Sequence, residues 1–218
     1  SAIQMREGGL PLVNVAQISQ RSALMLVGWK KRGIKSIQDL NGREVTVWPD
    51  FAVQARLLFS KYGLKVRIIP QGQTVNLFLR GGVDASSAMW YNEYHLLLNS
   101  GVDEKDLTML FFDQLGQRFP EDGIYCLEAT RRKEPEMCRQ FVAASLEGWQ
   151  RAFARPEEAL DIVMRHAEKA NTGTNRLHQR WMLKRMKDLI LPDKEARMGT
   201  LQRKDYEQVC ADLLEAKQ

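Results

Sequence analysis

The sequence predicts an α/β fold, and two patterns in the distribution of apolar residues support this prediction. Over the first 127 residues, short β-branched stretches bounded by turn residues alternate with stretches of helical periodicity. Strand, helix and strand at these lengths form a βαβ unit, whose strands pair in a parallel sheet. From about residue 130, the apolar spacing indicates helix almost to the end of the chain.

The predicted elements follow one another without a long linker or an internal repeat. Ser36 caps a single helical turn that Asn41-Gly42 ends, and Pro156 at a first helical position marks the start of a later helix. Predicted strands lie at residues 10–18, 23–27, 45–48, 65–69, 83–89, 107–112 and 123–127. Predicted helices lie at residues 52–62, 75–80, 90–99, 135–153, 156–170, 175–189 and 204–217.

Composition argues against nucleic-acid and membrane-spanning roles. The 218 residues are 44% hydrophobic, which is enough for a real core. The net charge of +5 comes from mixed charges, and no Lys/Arg run is interleaved with aromatic residues, so we expect no nucleic-acid surface. No apolar run reaches the roughly 18 residues of a membrane span. The chain starts at Ser1 without an initiator Met, which leaves its compartment open.

The residues that build metal and catalytic sites are scattered along the chain. The cysteines are isolated and are expected to be buried thiols without a disulfide framework: Cys126, Cys138 and Cys210. The histidines lack a partner at metal-ligand spacing: His95, His166 and His178. Nucleophile-elbow, Walker A and H-E-x-x-H motifs are also absent. We therefore expect neither an enzyme nor a cofactor or metal.

Three stretches together resemble the ABC transporter substrate-binding proteins for sulfonates, nitrate and thiamine precursors, in the branch that binds the thiamine pyrimidine precursor. Residues 33–48 look like that family's entry into its second lobe. Residues 77–85, with Gly81-Gly82-Val83-Asp84-Ala85, are similar to the step that begins the strand beside the ligand cleft. Residues 119–127 look like the return strand to the first lobe. The resemblance extends from Leu10 to Ile190.

The resemblance implies a periplasmic binding protein type II-like fold, with two lobes that each hold a mostly parallel sheet flanked by helices. Residues 1–31 would form part of lobe 1, residues 32–124 lobe 2, and residues 125–218 a mostly helical return to lobe 1. The family's first lobe begins with a strand, a helix and a strand that precede the position of Leu10. We therefore expect that the N-terminal part of lobe 1 is missing from this sequence.

The first group of candidate ligand-binding residues is Trp48, Asp50 and Phe51. Oxyanion-binding relatives tend to have Ser or Thr at this helix start, where hydroxyl and backbone N–H groups hold an anion. A carboxylate here repels an anion, whereas two aromatic rings suit a flat ligand. The alternative is structural: Asp50 caps the helix and Trp48 belongs to the core.

The second group follows the next strand of the resembled cleft and comprises Trp90, Tyr91, Glu93 and Tyr94. At helical spacing, Trp90 and Tyr94 share a face that can stack on a heteroaromatic ring. The Glu93 carboxylate can accept a hydrogen bond from an exocyclic amine, as an aminopyrimidine would offer. The alternative is that Trp90 or Tyr94 packs in the core against the neighbouring leucines.

The third group, Glu121, Asp122 and Tyr125, lies at the hinge that the resemblance implies. Carboxylates can accept hydrogen bonds from amine donors, and a Tyr hydroxyl can cover a closed cleft. The alternative is a plain turn, because Pro120 to Gly123 has typical turn chemistry.

The function that the resemblance implies is capture of a small heteroaromatic ligand, such as a thiamine pyrimidine precursor, by hinge closure. The partner would be the membrane permease of an ABC importer, and the location the periplasm or the extracellular face of the membrane. A ligand-sensing domain of a membrane signalling protein is the alternative, and a flavin, an amidine or a sulfonate could replace the pyrimidine. The related pyrimidine synthase of thiamine biosynthesis carries a cysteine cluster that this sequence lacks.

Overall fold

The computed structural model describes residues 2–193 and 195–215 of the chain. Its strands are β1 (Leu12–Ala16), β2 (Leu24–Trp29), β3 (Glu44–Val47), β4 (Arg67–Pro70), β5 (Ala85–Met89), β6 (Leu107–Phe111) and β7 (Ile124–Leu127). Its α-helices are α1 (Ala2–Glu7), α2 (Ala52–Lys61), α3 (Asn76–Leu79), α4 (Glu93–Asn99), α5 (Glu128–Lys133), α6 (Pro135–Ala154), α7 (Pro156–Lys169), α8 (Arg176–Ile190) and α9 (Arg203–Glu215). These elements confirm the α/β class.

Internal contacts divide the chain into two compact units. Unit 1 takes in the beginning of the chain up to Ser22 and then Phe119–Cys210. Unit 2 takes in Ala23–Arg118 and the chain from Ala211 onward. The chain passes from one unit to the other after Ser22 and after Arg118. The sequence placed the lobe boundaries after residues 31 and 124, and these boundaries stay a prediction.

Unit 2 is built around a five-stranded sheet with the order β4-β3-β5-β2-β6. Strand β3 pairs in parallel with β4 and β5, whereas β2 is antiparallel to both β5 and β6. Four strands therefore run in one direction, and β2, between β5 and β6, runs against them. The sheet is therefore mixed, with two parallel and two antiparallel pairings, and most of its strands run in the same direction as expected.

The centre of unit 2 is apolar on both faces of the sheet. Every residue of β2 and of β5 is buried. Alternate side chains of a strand point to opposite faces, so burial of whole strands means that both faces are covered. The ring of Trp29 stacks on that of Phe78 at 4.9 Å between centroids. Gly28 lets β2 approach a neighbouring segment, since a Cβ there would lie 2.4 Å from Ile34 Cγ2.

Unit 1 combines a two-stranded antiparallel sheet with helices. Strands β1 and β7 form the sheet, and Val13 lies opposite Cys126. Helices α6, α7 and α8 pack against one another, as expected from their apolar spacing. The Glu157 carboxylate at the start of α7 accepts hydrogen bonds from Arg176 and Arg180 of α8. Two short helices, α1 and α5, were not expected from the sequence.

Helix starts follow local hydrogen bonds. The predicted single turn after Ser36 is present as a 3-10 helix, and Asp39 accepts a hydrogen bond from the Ser36 N–H at 2.8 Å. By contrast, α4 begins at Glu93 rather than at Trp90 as predicted, because residues 90–92 form a turn. The Glu93 carboxylate holds this turn by accepting a hydrogen bond from the Met89 N–H at 2.8 Å.

Within the described ranges, no helix combines the length and the apolar character that a membrane crossing needs.

Replacing Gly28 by Ala should destabilise the protein by roughly 1–3 kcal/mol, because the new methyl group overlaps Ile34 in a packed core. The matched control is Gly148→Ala in α6, where a Cβ meets no atom within 4 Å. That change should stabilise the helix by about 0.5–1 kcal/mol. Guanidinium unfolding of both variants measures the difference, and equal midpoints would contradict the packing around Gly28.

Candidate ligand-binding site

Three parallel strands of unit 2 end at one edge of the sheet. Val47 at the end of β3 lies opposite Pro70 at the end of β4, and Thr46 lies opposite Ser86 of β5. We call the residues level with or beyond the ends of β3 and β4, together with the residue after β5, the carboxyl edge: Trp48, Asp50, Phe51, Gln71, Ser86, Ser87 and Trp90. In open α/β sheets, ligands bind outside the carboxyl ends of the strands.

A buried polar network joins the strands at the carboxyl edge. Thr46 Oγ1 donates a hydrogen bond to Ser86 Oγ at 2.8 Å, and Ser86 Oγ donates to Gln71 Oε1 at 3.1 Å. Ser87 Oγ donates to the same Gln71 oxygen at 2.7 Å and accepts from the Trp48 N–H at 3.1 Å. The oxygen of the Gln71 carboxamide is thus doubly hydrogen-bonded inside unit 2.

The nitrogen of the same carboxamide has no hydrogen-bond partner among the described residues. Gln71 is only 6% exposed, and its Nε2 makes no hydrogen bond with any part of the chain that the structure describes. The amide is oriented by its oxygen, which accepts from two serine hydroxyls. A buried unpaired donor costs roughly 1–3 kcal/mol. This N–H group is therefore an unsatisfied donor at the carboxyl edge.

Two tryptophans flank this amide along the chain, one after β3 and one after β5. Trp48 and Trp90 are both partly exposed. Each is fixed by its backbone, because the Trp90 N–H donates to the Ala23 carbonyl at 2.9 Å and Trp48 bonds to Ser87. The Trp90 ring also meets the Phe111 ring edge-on, with centroids 5.5 Å apart. Anchored, partly exposed indoles can stack on a flat ligand.

The remaining residues of the first predicted group lie beside Trp48. Phe51 is partly exposed and Asp50 is exposed, in the 3-10 turn Pro49–Phe51 that leads into α2. Asp50 does not cap α2, since the residue before the helix is Phe51. The carboxylate of Asp50 therefore places a negative charge at this helix entrance.

Two members of the second predicted group serve the interior of unit 2. Glu93 is 7% exposed, and its carboxylate accepts hydrogen bonds from the Met89 N–H and from Asn92 Nδ2. Tyr94 is 1% exposed, and its hydroxyl donates to Glu104 at 2.9 Å. Burial and the bond to Glu104 raise the pKa of Tyr94. Trp90 and Tyr94 do not share a helix face, because Trp90 precedes α4. Tyr91 is partly exposed in the turn of residues 90–92.

The third predicted group lies in unit 1, where residues 17–22 bind residues 121–122. Ser22 Oγ donates to the Glu121 carboxylate at 2.5 Å, and Gln17 Nε2 donates to the Glu121 carbonyl at 2.6 Å. Ser19 Oγ donates to Asp122 Oδ2 at 3.4 Å. Tyr125 is 41% exposed on β7. Glu121 thus ties two chain segments together, in addition to any contact with a ligand.

Asp122 combines an unusual backbone with a partly screened carboxylate. Its φ of 53° lies in the left-handed region, which Asp and Asn tolerate better than other non-glycine residues. Although the residue as a whole is exposed, desolvation of the carboxyl group raises the pKa of Asp122, and the hydrogen bond from Ser19 only partly opposes this.

Sequence reasoning missed the amide and hydroxyl groups of the carboxyl edge. The available signal was the pair Ser86-Ser87 inside a strand that is otherwise apolar, because buried hydroxyls need a hydrogen-bonding partner. Nothing in the sequence identified Gln71 as that partner. A second buried amide, Gln117, has an unpaired Oε1 among the described residues while its Nε2 donates to the Gln54 carbonyl of α2. No metal-binding cluster of three or more residues forms in the ranges described.

Comparison with known proteins identifies the family. The family model described as NMT1/THI5 like matches residues 1–159. The riboflavin-binding protein RibY of Chloroflexus aurantiacus is 27% identical over 181 residues, which are 79% of this chain and 50% of RibY. The chain thus spans about half the length of this curated relative.

Solved structures share the fold. The periplasmic aliphatic sulphonate binding protein SsuA of Escherichia coli matches with a TM-score of 0.72 and 16% identity, over 99% of this chain and 70% of SsuA. The alkanesulfonate-binding protein SsuA of Xanthomonas axonopodis pv. citri, bound to MOPS, matches with a TM-score of 0.68 and 16% identity, over 98% of this chain and 71% of that one. The periplasmic binding protein type II-like fold is therefore confirmed.

The raised pKa of Asp122 predicts a pH effect on stability. The folded state holds this proton more tightly than the unfolded chain, so its contribution is complete below the ordinary value of 3.8 and is lost as the pH rises through the folded pKa. Asp122→Asn removes the charge and keeps the left-handed backbone. We expect this variant to gain stability over the parent as the pH rises from 3 to about 7.

Guanidinium midpoints of both proteins across this pH range measure the effect. Asp122→Ala is the control for the backbone, and it should be about 1 kcal/mol less stable than Asp122→Asn at every pH, because both variants lack the charge and alanine is strained at this φ. A difference between parent and Asp122→Asn that does not change with pH would contradict the prediction.

Proposed function

The chain belongs to the NMT1/THI5-like family, and we propose that it is a solute-binding protein of the ABC import type that captures a small, flat heteroaromatic molecule. The carboxyl edge of unit 2 carries the ligand ring in this proposal. The observation that carries it is the buried N–H of Gln71, unpaired among the described residues, with partly exposed tryptophans after the next two strands of the sheet, β3 and β5.

The chemistry of this edge favours a ring that offers a hydrogen-bond acceptor. Gln71 Nε2 can donate to a ring nitrogen or to a carbonyl oxygen, and pairing it removes the penalty of an unpaired buried donor. Trp48 and Trp90 can each contribute about 1 kcal/mol through ring stacking, beyond the burial of area. Phe51 adds a third aromatic side chain at the same edge.

The charges at this edge disfavour an oxyanion. Sulfonate and nitrate need hydroxyl or N–H donors without a competing negative charge. Here the helix entrance holds Trp48, Pro49 and the exposed carboxylate of Asp50. An anion placed at this entrance would be repelled by Asp50. The likeness to the SsuA proteins therefore supports the fold of our proposal and not their ligand.

Two heteroaromatic ligands fit the proposal, each for its own reason. The sequence resemblance implies a thiamine pyrimidine precursor, and the relative RibY is named for binding riboflavin. Both molecules contain a pyrimidine ring system with acceptor atoms. The Nε2–H group of Gln71 could donate a hydrogen bond to one of these atoms. We propose the aminopyrimidine as the first ligand to test and riboflavin as the second.

Transfer of the ligand to a membrane permease, at the periplasmic or extracellular face, completes the proposal. The sensor alternative uses the same capture step, with a signalling domain in place of the permease. In both cases the ligand leaves the protein chemically unchanged. Chromatography of ligand recovered from the protein tests this point, since any converted product would indicate an enzyme.

The test is thermal unfolding in the presence of aminopyrimidine thiamine precursors, thiamine, riboflavin, taurine or nitrate. A ligand that binds only the native state, at a hundred times its Kd, stabilises the protein by about 2.7 kcal/mol. We expect a higher midpoint with an aminopyrimidine or with riboflavin and no change with taurine or nitrate. A shift with taurine or nitrate alone would overturn the proposal.

Matched variants locate the ligand. Gln71→Met replaces the buried amide by an apolar chain of similar length, and Gln73→Met makes the same change at an exposed position of the same loop. Calorimetric titration with the ligand found above should show about ten-fold or more weaker binding for Gln71→Met, since one hydrogen bond to a buried donor is lost. Gln73→Met should bind as the parent does. Unchanged affinity in Gln71→Met and in Trp90→Ala would move the site away from the carboxyl edge.

A further inference from the structure

Two cysteines of unit 1 lie on facing elements. Cys126 is on β7, directly opposite Val13 of β1, and Cys138 is in the first turn of α6. Side chains of directly opposed residues in an antiparallel pair leave the same face of the sheet. The Cys126 thiol therefore leaves the face that carries Val13.

That face is the one next to the start of α6. A surface groove of about 990 Å³ is lined by Val13 and Val15 from β1 together with Pro135 and Cys138 from α6. The sequence predicted buried, isolated thiols, whereas both of these cysteines are partly exposed. Burial raises the pKa of the Cys126 thiol, and a hydrogen bond with the Cys138 thiol raises it further. The two thiols are thus neighbours, and Cys138 lines the groove.

The groove also carries positive charge. Arg131, Arg132 and Arg139 line it, and Arg131 acts against burial by lowering the pKa of Cys126. Arg132 pairs with Glu128 and Arg139 with Glu136, so carboxylates partly balance the charges of these two guanidinium groups. The thiolate is the form that attacks a disulfide, and Arg131 favours it, although burial and Cys138 raise the pKa of Cys126 overall.

We propose that Cys126 and Cys138 are a redox-active pair that closes to a reversible disulfide by exchange with a low-molecular-weight disulfide such as glutathione disulfide. The thiolate of one cysteine attacks a glutathione sulfur, the S–S bond of glutathione breaks and one glutathione thiolate leaves. The second cysteine then attacks the protein sulfur of the mixed disulfide and displaces the other glutathione. Two protein thiols are oxidised, one glutathione disulfide is reduced to two thiols, and the two protons pass to the released thiolates.

Closure of this pair would tie β7 to α6. Strand β7 follows residues 121–122, whose hydrogen bonds hold them to residues 17–22. The bond would therefore fix the position of this strand against the helix in an oxidising compartment and release it in a reducing one. This inference is independent of the ligand proposed above, since no residue of the carboxyl edge takes part.

The experiment equilibrates the full 218-residue chain with glutathione buffers of rising oxidised fraction, followed by acid quenching, alkylation, intact mass and peptide mapping. We expect two of the three cysteines to lose their alkylation together and to appear in one peptide pair joined through Cys126 and Cys138. Cys210, which is also partly exposed, should stay alkylated. In the urea-unfolded chain the three thiols should pair without this preference.

Variants separate the steps. Cys210→Ser leaves the pair intact and should oxidise as the parent does. Cys138→Ser removes the second attack, so the glutathione adduct should accumulate on Cys126. The proposal is overturned if all three thiols remain alkylated in excess glutathione disulfide. It is also overturned if stable glutathione adducts replace the internal bond in the parent, or if the native chain shows the same mixture of pairs as the unfolded one.

Discussion

The carboxamide of Gln71 ties the ends of β3, β4 and β5 into one edge, and the candidate site depends on it. The backbone N–H of Gln71 donates to the Val47 carbonyl at 2.9 Å, and the side-chain oxygen of Gln71 accepts from Ser86 and Ser87. Because Ser87 in turn accepts from the Trp48 N–H, the same amide sets where the first tryptophan leaves β3. Among the described residues, the amide nitrogen is the donor of this network that lacks an acceptor.

The unpaired N–H of Gln71 lowers the stability of the protein and at the same time provides a hydrogen-bond donor with a fixed direction. An apolar residue in place of Gln71 would avoid an unpaired buried donor but would leave the two serine hydroxyls without their acceptor. The hydrogen bonds from Ser86 and Ser87 to the Gln71 oxygen hold the carboxamide in place. The N–H group of the carboxamide therefore has a fixed direction before a ligand binds. Such preorganisation lowers the entropy that binding must overcome. Aromatic side chains anchored through their backbone, Trp48 and Trp90, add to the same effect.

Unit 1 shows a different use of polar residues. There, Gln17, Ser19 and Ser22 hold Glu121 and Asp122 close to the points where the chain leaves and re-enters this unit. Their bonds connect segments that are a hundred residues apart in sequence, such as Ser22 and Glu121 with a separation of 99. Turn chemistry alone, as in Pro120 to Gly123, does not account for these bonds, because turns use partners nearby in sequence. Residues 121–122 therefore form more than a local turn, because they join two distant segments of unit 1.

The sequence by itself determined the α/β class and most of the elements, because apolar periodicity, Pro156 at a helix start and Ser36 before a capped turn act through neighbours within a few residues. It also determined that aromatic residues follow β3 and β5. Only the tertiary structure decided that Glu93 and Tyr94 serve the interior, that Gln71 completes the Ser86-Ser87 pair, and that Cys126 faces Cys138. These results rest on partners distant in sequence, whose meeting depends on strand order and register. A residue's own neighbours carry no information about such partners, and this is why the pattern of the sequence located the edge of the sheet but not the donor within it.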